Sequence, residues 1–77
     1  MAVNDGLPAN AADVTPSDAT KFGSSSIFVG GAGTVIVEPE GQPGTYVTFT
    51  MPAGGYVLLR CTQVRAASTA TLLRRLW

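Results

Sequence analysis

The chain has no histidine and one cysteine, Cys61, among its 77 residues. Without histidine there is no His-based general acid or base and no His-containing metal site. A lone cysteine excludes an intramolecular disulfide framework and a cysteine-rich zinc site. It suits a chain assembled in a reducing cytoplasm. No apolar run approaches the about 18 residues that a membrane-spanning helix needs. The first residues lack the basic and apolar regions of a signal peptide, so secretion is not expected. Lysine tracts and clustered aromatics are also missing, and four arginines alone make a poor nucleic-acid patch.

Apolar side chains are scarce at the start. Residues 1–21 hold four sizeable ones (Met1, Val3, Leu7 and Val14), with no helical or strand period. Such a segment reads as an extended or disordered arm. The compact part is then residues 22–77. A domain this short buries only about 60% of its unfolded surface. Oligomerisation or docking on a larger body is the usual support for so small a core. Net charge is zero but unevenly spread. All five acids (Asp5, Asp13, Asp18, Glu38, Glu40) precede residue 41, and four of five bases (Arg60, Arg65, Arg74, Arg75) follow residue 59. Either these are solvated faces, or an acidic arm of one subunit meets a basic edge of another.

Past the arm, short apolar runs alternate with turn residues. SIFVG (26–30) and TVIVEP (34–39) read as strands. EGQPGT follows, with Pro43 and Gly44 suited to the centre of a type II turn. TYVTFTM (45–51) points Val47, Phe49 and Met51 one way and Tyr46, Thr48 and Thr50 the other. After the turn PAGG, the run GYVLLRCTQVRA puts Val57, Leu59 and Cys61 on one face. Val64 then breaks the period, which predicts a bulge or bend. ASTATLLRRLW could end in a helical turn, but Thr69 and Thr71 favour a strand. The expectation is all-β: a single β-sandwich or barrel of about five short antiparallel strands with an extended N-terminal arm.

The glycines of SIFVGGAGTVIV raise the question of a phosphate loop. A dinucleotide fingerprint starting at Gly31 would need a third glycine where Ile36 stands, and the other phosphate loop needs a lysine after its glycine. The β-branched run Thr34 to Val37 opposes the helix that both motifs require. A hairpin is expected instead, with Gly30 to Gly33 as its turn. Cys61 reads as a core residue, because no activating base accompanies it. Asp13 and Asp18 lack a pocket that would make them an acid/base pair. Trp77 is costly to expose and reads as core or interface. No catalytic residue, cofactor or metal site is expected. The chemistry is that of a structural or binding module.

The runs VTPSDATKF, SIFVGGAGTVIV and TYVTFTMPAGGYVLLRCTQVRAASTAT, closing on LW, taken in that order, resemble the head-spike base proteins. These are small virion proteins of gene transfer agents and related tailed phages. The likeness spans residues 14–77. Two positions depart from it: Leu58 stands where members often have proline, and Arg65 where they often have histidine. The resemblance implies a structural virion protein on the capsid surface, assembled in the bacterial cytoplasm. It would form a homo-oligomeric ring at a vertex, seated on the major capsid protein and carrying a spike or fibre chain. Thr15, Pro16, Ser17 and Asp18 would anchor the arm. Arg60, Arg65, Arg74 and Arg75 would make polar contacts to the fibre or the next subunit, and Trp77 an apolar one. A capsid decoration (cement) protein and a ligand-binding β-module are the alternatives, with no nucleic acid or membrane partner in any of them.

Overall fold

The computed structural model describes residues 8–77, and the start of the arm, including Met1, Val3, Asp5 and Leu7, lies outside them. Six strands form: β1 (Ala11–Asp13), β2 (Ser25–Gly31), β3 (Gly33–Pro39), β4 (Val47–Met51), β5 (Gly55–Val64) and β6 (Thr71–Leu76). They make one sheet in the order β1-β6-β2-β5-β3-β4, and every pairing is antiparallel. The all-β expectation holds. The terminal LLRRL run is a strand, as its threonines suggested.

β5 is the spine. Its first half pairs with β2, and its second half, from Cys61 to Val64, pairs with β3. The register slips on β5 between these halves: Ile27 faces Val57, yet Ser25 faces Cys61. A second slip sets Glu38 opposite Gln63 and Pro39 opposite Cys61. These extra residues bend the strand, as bulges do. The two halves of the sheet therefore turn their apolar faces toward one core. Ile27, Val29, Val35, Val37, Val57, Cys61, Val64, Ala70 and Leu73 fill it, with Val14, Phe22, Phe49 and Met51 packed at its margin. The irregular stretch also turns Leu59 outward, against its expected place beside Val57 and Cys61.

The glycine stretch is not a hairpin. β2 and β3 do not pair with each other, because β5 lies between them. Both strands bury alternate β-branched residues, Ile27 and Val29 on one, Val35 and Val37 on the other. Gly30 to Gly33 carry the chain around the corner from one half of the sheet to the other. The corner is tight. A Cβ on Gly30 would stand 2.7 Å from the Leu72 Cβ, and one on Gly33 (φ 153°) would stand 2.6 Å from the Ala70 nitrogen. The two other turns follow their sequences. Thr45 N donates to Gln42 O around Pro43 and Gly44 (φ 82°), and Gly55 N donates to Pro52 O around Gly54 (φ 80°). Both are type II turns.

β1 comes from the stretch that reads as an arm, and it adds a strand to the five expected. Its sequence has no apolar period, so its order comes from backbone bonds to β6. Trp77 N donates to Asn10 O, Ala9 N and Asn10 N donate to Trp77 O, and Val14 N donates to Leu73 O.

Candidate interaction surface

The residues singled out in the sequence fall on separate parts of the molecule. Thr15 to Asp18 cross the end of β5. Ser17 N donates to Val64 O at 2.9 Å, and the buried Gln63 donates from Nε2 to Ser17 O at 3.0 Å. Ser17 Oγ accepts from Ala19 N and Thr20 N, a local turn that redirects the chain. Asp18 Oδ1 accepts from Ala66 N and lies 3.2 Å from Arg65 Nε. Arg65 also stacks its guanidinium 4.0 Å from the centre of the Tyr46 ring.

Arg74 pairs with Asp13 at 2.9 Å across β6 and β1. Arg75 lies 3.8 Å from the centre of the Trp77 ring and 5.3 Å from that of Phe22. Its Nη1 donates to Ser25 Oγ. Trp77 is 42% exposed, so it is not a core residue. Arg60 is exposed and forms no ion pair with the described residues. Asp13 and Asp18 of the arm thus meet bases of their own chain.

Glu38 was not singled out by its sequence. Its side chain is 2% exposed, under Lys21 of the crossing segment. Gly44 N donates to Oε2 at 2.7 Å, Thr62 Oγ1 donates to Oε1 at 3.1 Å, and Lys21 Nζ lies 2.9 Å from Oε1. The Gly44 bond first, then Lys21, holds the carboxyl down to about 2, against the upward push of desolvation. Glu38 ties the crossing segment, the type II turn and β5 together. Cys61 is fully buried, and desolvation raises its thiol to about 11. It is a core residue, and a thiol so raised is a weak nucleophile at neutral pH.

Among the described residues, the outer face of β6, β2 and β5 exposes several large apolar side chains. Arg74 stands opposite Phe28, and Phe28 opposite Tyr56, so one row of side chains crosses three strands. The Phe28 and Tyr56 rings are 5.1 Å apart and tilted by 59°. Tyr56 is 53% exposed, Leu58 85% and Leu72 63%. The Arg74 charge within this face is balanced by Asp13. Aromatic side chains beside an arginine whose charge is neutralised are residue types enriched at interface centres. Alternation could have found it, since inward Ile27, Val29 and Val57 leave Phe28, Tyr56 and Leu58 outside. Among the described residues no group of three or more acidic or cysteine side chains is placed to hold a metal.

No known family matches the chain, and no curated protein matches it. Among solved structures, a chain from the capsid of a native gene transfer agent particle, computed with C5 symmetry, is similar to it. The two are 26% identical with a TM-score of 0.80, over all of this chain and 92% of that one. This likeness supports a structural protein of a gene transfer agent or phage particle. It also agrees with the ordered runs of the sequence, which resemble small virion proteins of such particles.

Proposed function

We propose that the chain is the oligomeric base that attaches a spike or fibre to the capsid of a tailed phage or gene-transfer-agent-like particle. The observation that carries this reading is the outer face of Phe28, Tyr56, Leu58 and Leu72, on a domain that matches a capsid chain along its whole length. So small a domain gains from covering such a face on a larger body. The fivefold symmetry of the capsid structure suits a ring at a vertex, with the major capsid protein below and the fibre chain above. Arg60, which is unpaired with the described residues, and Trp77 at the rim are further contacts in this reading. The role is mechanical attachment, with no catalytic step.

The test is particle composition. Mass spectrometry of purified particles should detect the chain at tens of copies, together with the fibre protein. Hundreds of copies would make it a decoration protein, and absence would refute a virion role. Leu58→Asp and Tyr56→Ala should leave the isolated domain folded while reducing its incorporation by tenfold or more. Normal incorporation of both variants would remove the outer face from the contact.

A further inference from the structure

The sheet has two open edges, β1 and β4, at opposite ends of its strand order. The bonding of their neighbours fixes which backbone groups each edge presents. On β3, Thr34 and Ile36 turn away from β4. Thr34 O accepts from Thr69 N and Ala70 N, Thr34 N donates to Thr69 Oγ1, Ile36 N donates to Ser68 Oγ, and Ile36 O accepts from Arg65 N. Gly33, Val35 and Val37 therefore face β4, opposite Met51, Phe49 and Val47. The intervening Thr48 and Thr50 point their N–H and C=O groups outward, by the alternation of an antiparallel ladder.

The same reasoning applies to β1. Asn10 and Trp77 exchange both backbone bonds, and Val14 N donates to Leu73 O. Asn10, Ala12 and Val14 thus face β6, while Ala11 and Asp13 point theirs outward. Each edge presents two residues, two positions apart, a spacing of about 6.6–6.8 Å in both cases. The edges match group for group.

Among the described residues, neither edge is protected in the usual ways. No proline, lysine or bulge interrupts residues 47–51 or 11–13. No charged residue occurs anywhere from Gly41 to Leu59, so β4 repels no incoming strand. The only charge on β1 is Asp13, which Arg74 already balances. Covering β4 with a second β4 would close a dimer and leave both β1 edges bare. Pairing β4 with β1 covers both edges and repeats from copy to copy.

We propose that the β4 edge of one copy takes the β1 edge of the next, joining copies head to tail into one continuous sheet. This rests on the oligomeric reading above and names the contact that makes the ring. Thr48 and Thr50 of one copy exchange backbone bonds with Ala11 and Asp13 of its neighbour. The outer face is left free for the capsid or the fibre.

The experiment uses the purified full chain and two blocked variants, sized by sedimentation velocity, with folding followed by far-ultraviolet circular dichroism. Thr48→Lys blocks β4, and Thr50→Lys serves the same purpose if the first fails to fold. Ala11→Pro removes an outward N–H from β1 without touching a β1–β6 bond. The unmodified chain should be a multimer, and each folded variant alone a monomer. An equimolar mixture of the two should give a one-to-one dimer and nothing larger, since each copy keeps one usable edge. A monomeric parent chain, or variants as multimeric as the parent, would overturn the proposal. Dimers of Ala11→Pro alone would also overturn it in favour of β4 pairing with β4. Leu58→Asp should remain a multimer, so loss of particle incorporation in that variant separates failure of the attachment role from failure of the edge contact.

Discussion

Leu72 holds a left-handed backbone with φ 53°, and it is the one described non-glycine residue with positive φ. A branched side chain in that region costs roughly 1–2 kcal/mol. The residue is also largely exposed, so its side chain returns little burial within the domain. Asparagine tolerates the conformation better. Leu72→Asn should therefore raise the stability of the isolated chain by about 0.5–1 kcal/mol in denaturant unfolding. An unchanged or lower stability would show that Leu72 supports the core beneath it. Glu38 gives a pH prediction. Its folded pKa of about 2 lies below the ordinary 4.5, so its contribution is complete above 4.5 and lost as pH falls toward 2. Glu38→Gln should flatten the acid limb of the stability curve across that window. Cys61, buried and raised to about 11, should react with a thiol reagent only as the chain unfolds.

Among the elements, the corner from Gly30 to Gly33 carries the sharpest expectation. A Cβ at Gly33 meets backbone of Ala70 that has no flexible end to move aside. Gly33→Ala should cost about 2–3 kcal/mol in thermal or chemical unfolding. The corner also shows what the sequence could and could not reveal. Strand identity was legible, because Ile27 and Val29 alternate through 25–31, Thr34 to Val37 form a β-branched run in 33–39, and turn residues separate the runs. The partners were not. A glycine turn between two strands looks the same whether they pair with each other or with a third strand that begins only at Gly55. The bend in β5 was visible in the offset of Val64, but its effect on Leu59 depended on where the register slipped. β1 left no apolar trace, since a strand held mainly by backbone bonds and one exposed ion pair needs no hydrophobic pattern.

At the scale of the whole molecule, residues 8–21 act as part of the domain. They cover Gln63 and Val64, supply Lys21 to Glu38, and complete the sheet. Removing residues 1–20 should expose those buried groups and abolish a cooperative melting transition. A shorter chain that still melts cooperatively would show the core to be self-sufficient. Of the proposed contacts, the sequence suggested Trp77 and the arginines through their charge and position. It concealed that Arg65, Arg74 and Asp18 are already engaged within the chain, because such pairs join residues more than 45 positions apart.

The pairing of β1 with β6 has a consequence in time. The first strand of the sheet lies beside the last, and β2 also waits for β6 on one side and β5 on the other. Most contacts of the sheet are long-range in sequence, a topology that folds slowly. During synthesis the early strands emerge with no partner, and the sheet cannot close until residues 71–76 have left the ribosome. Until then β1 has no partner and β2 lacks β6 on one side, so both are open to pairing with other nascent copies. The same open edges that suit assembly would then be a hazard during production, so yield should depend on how fast the chain is completed and how crowded its copies are.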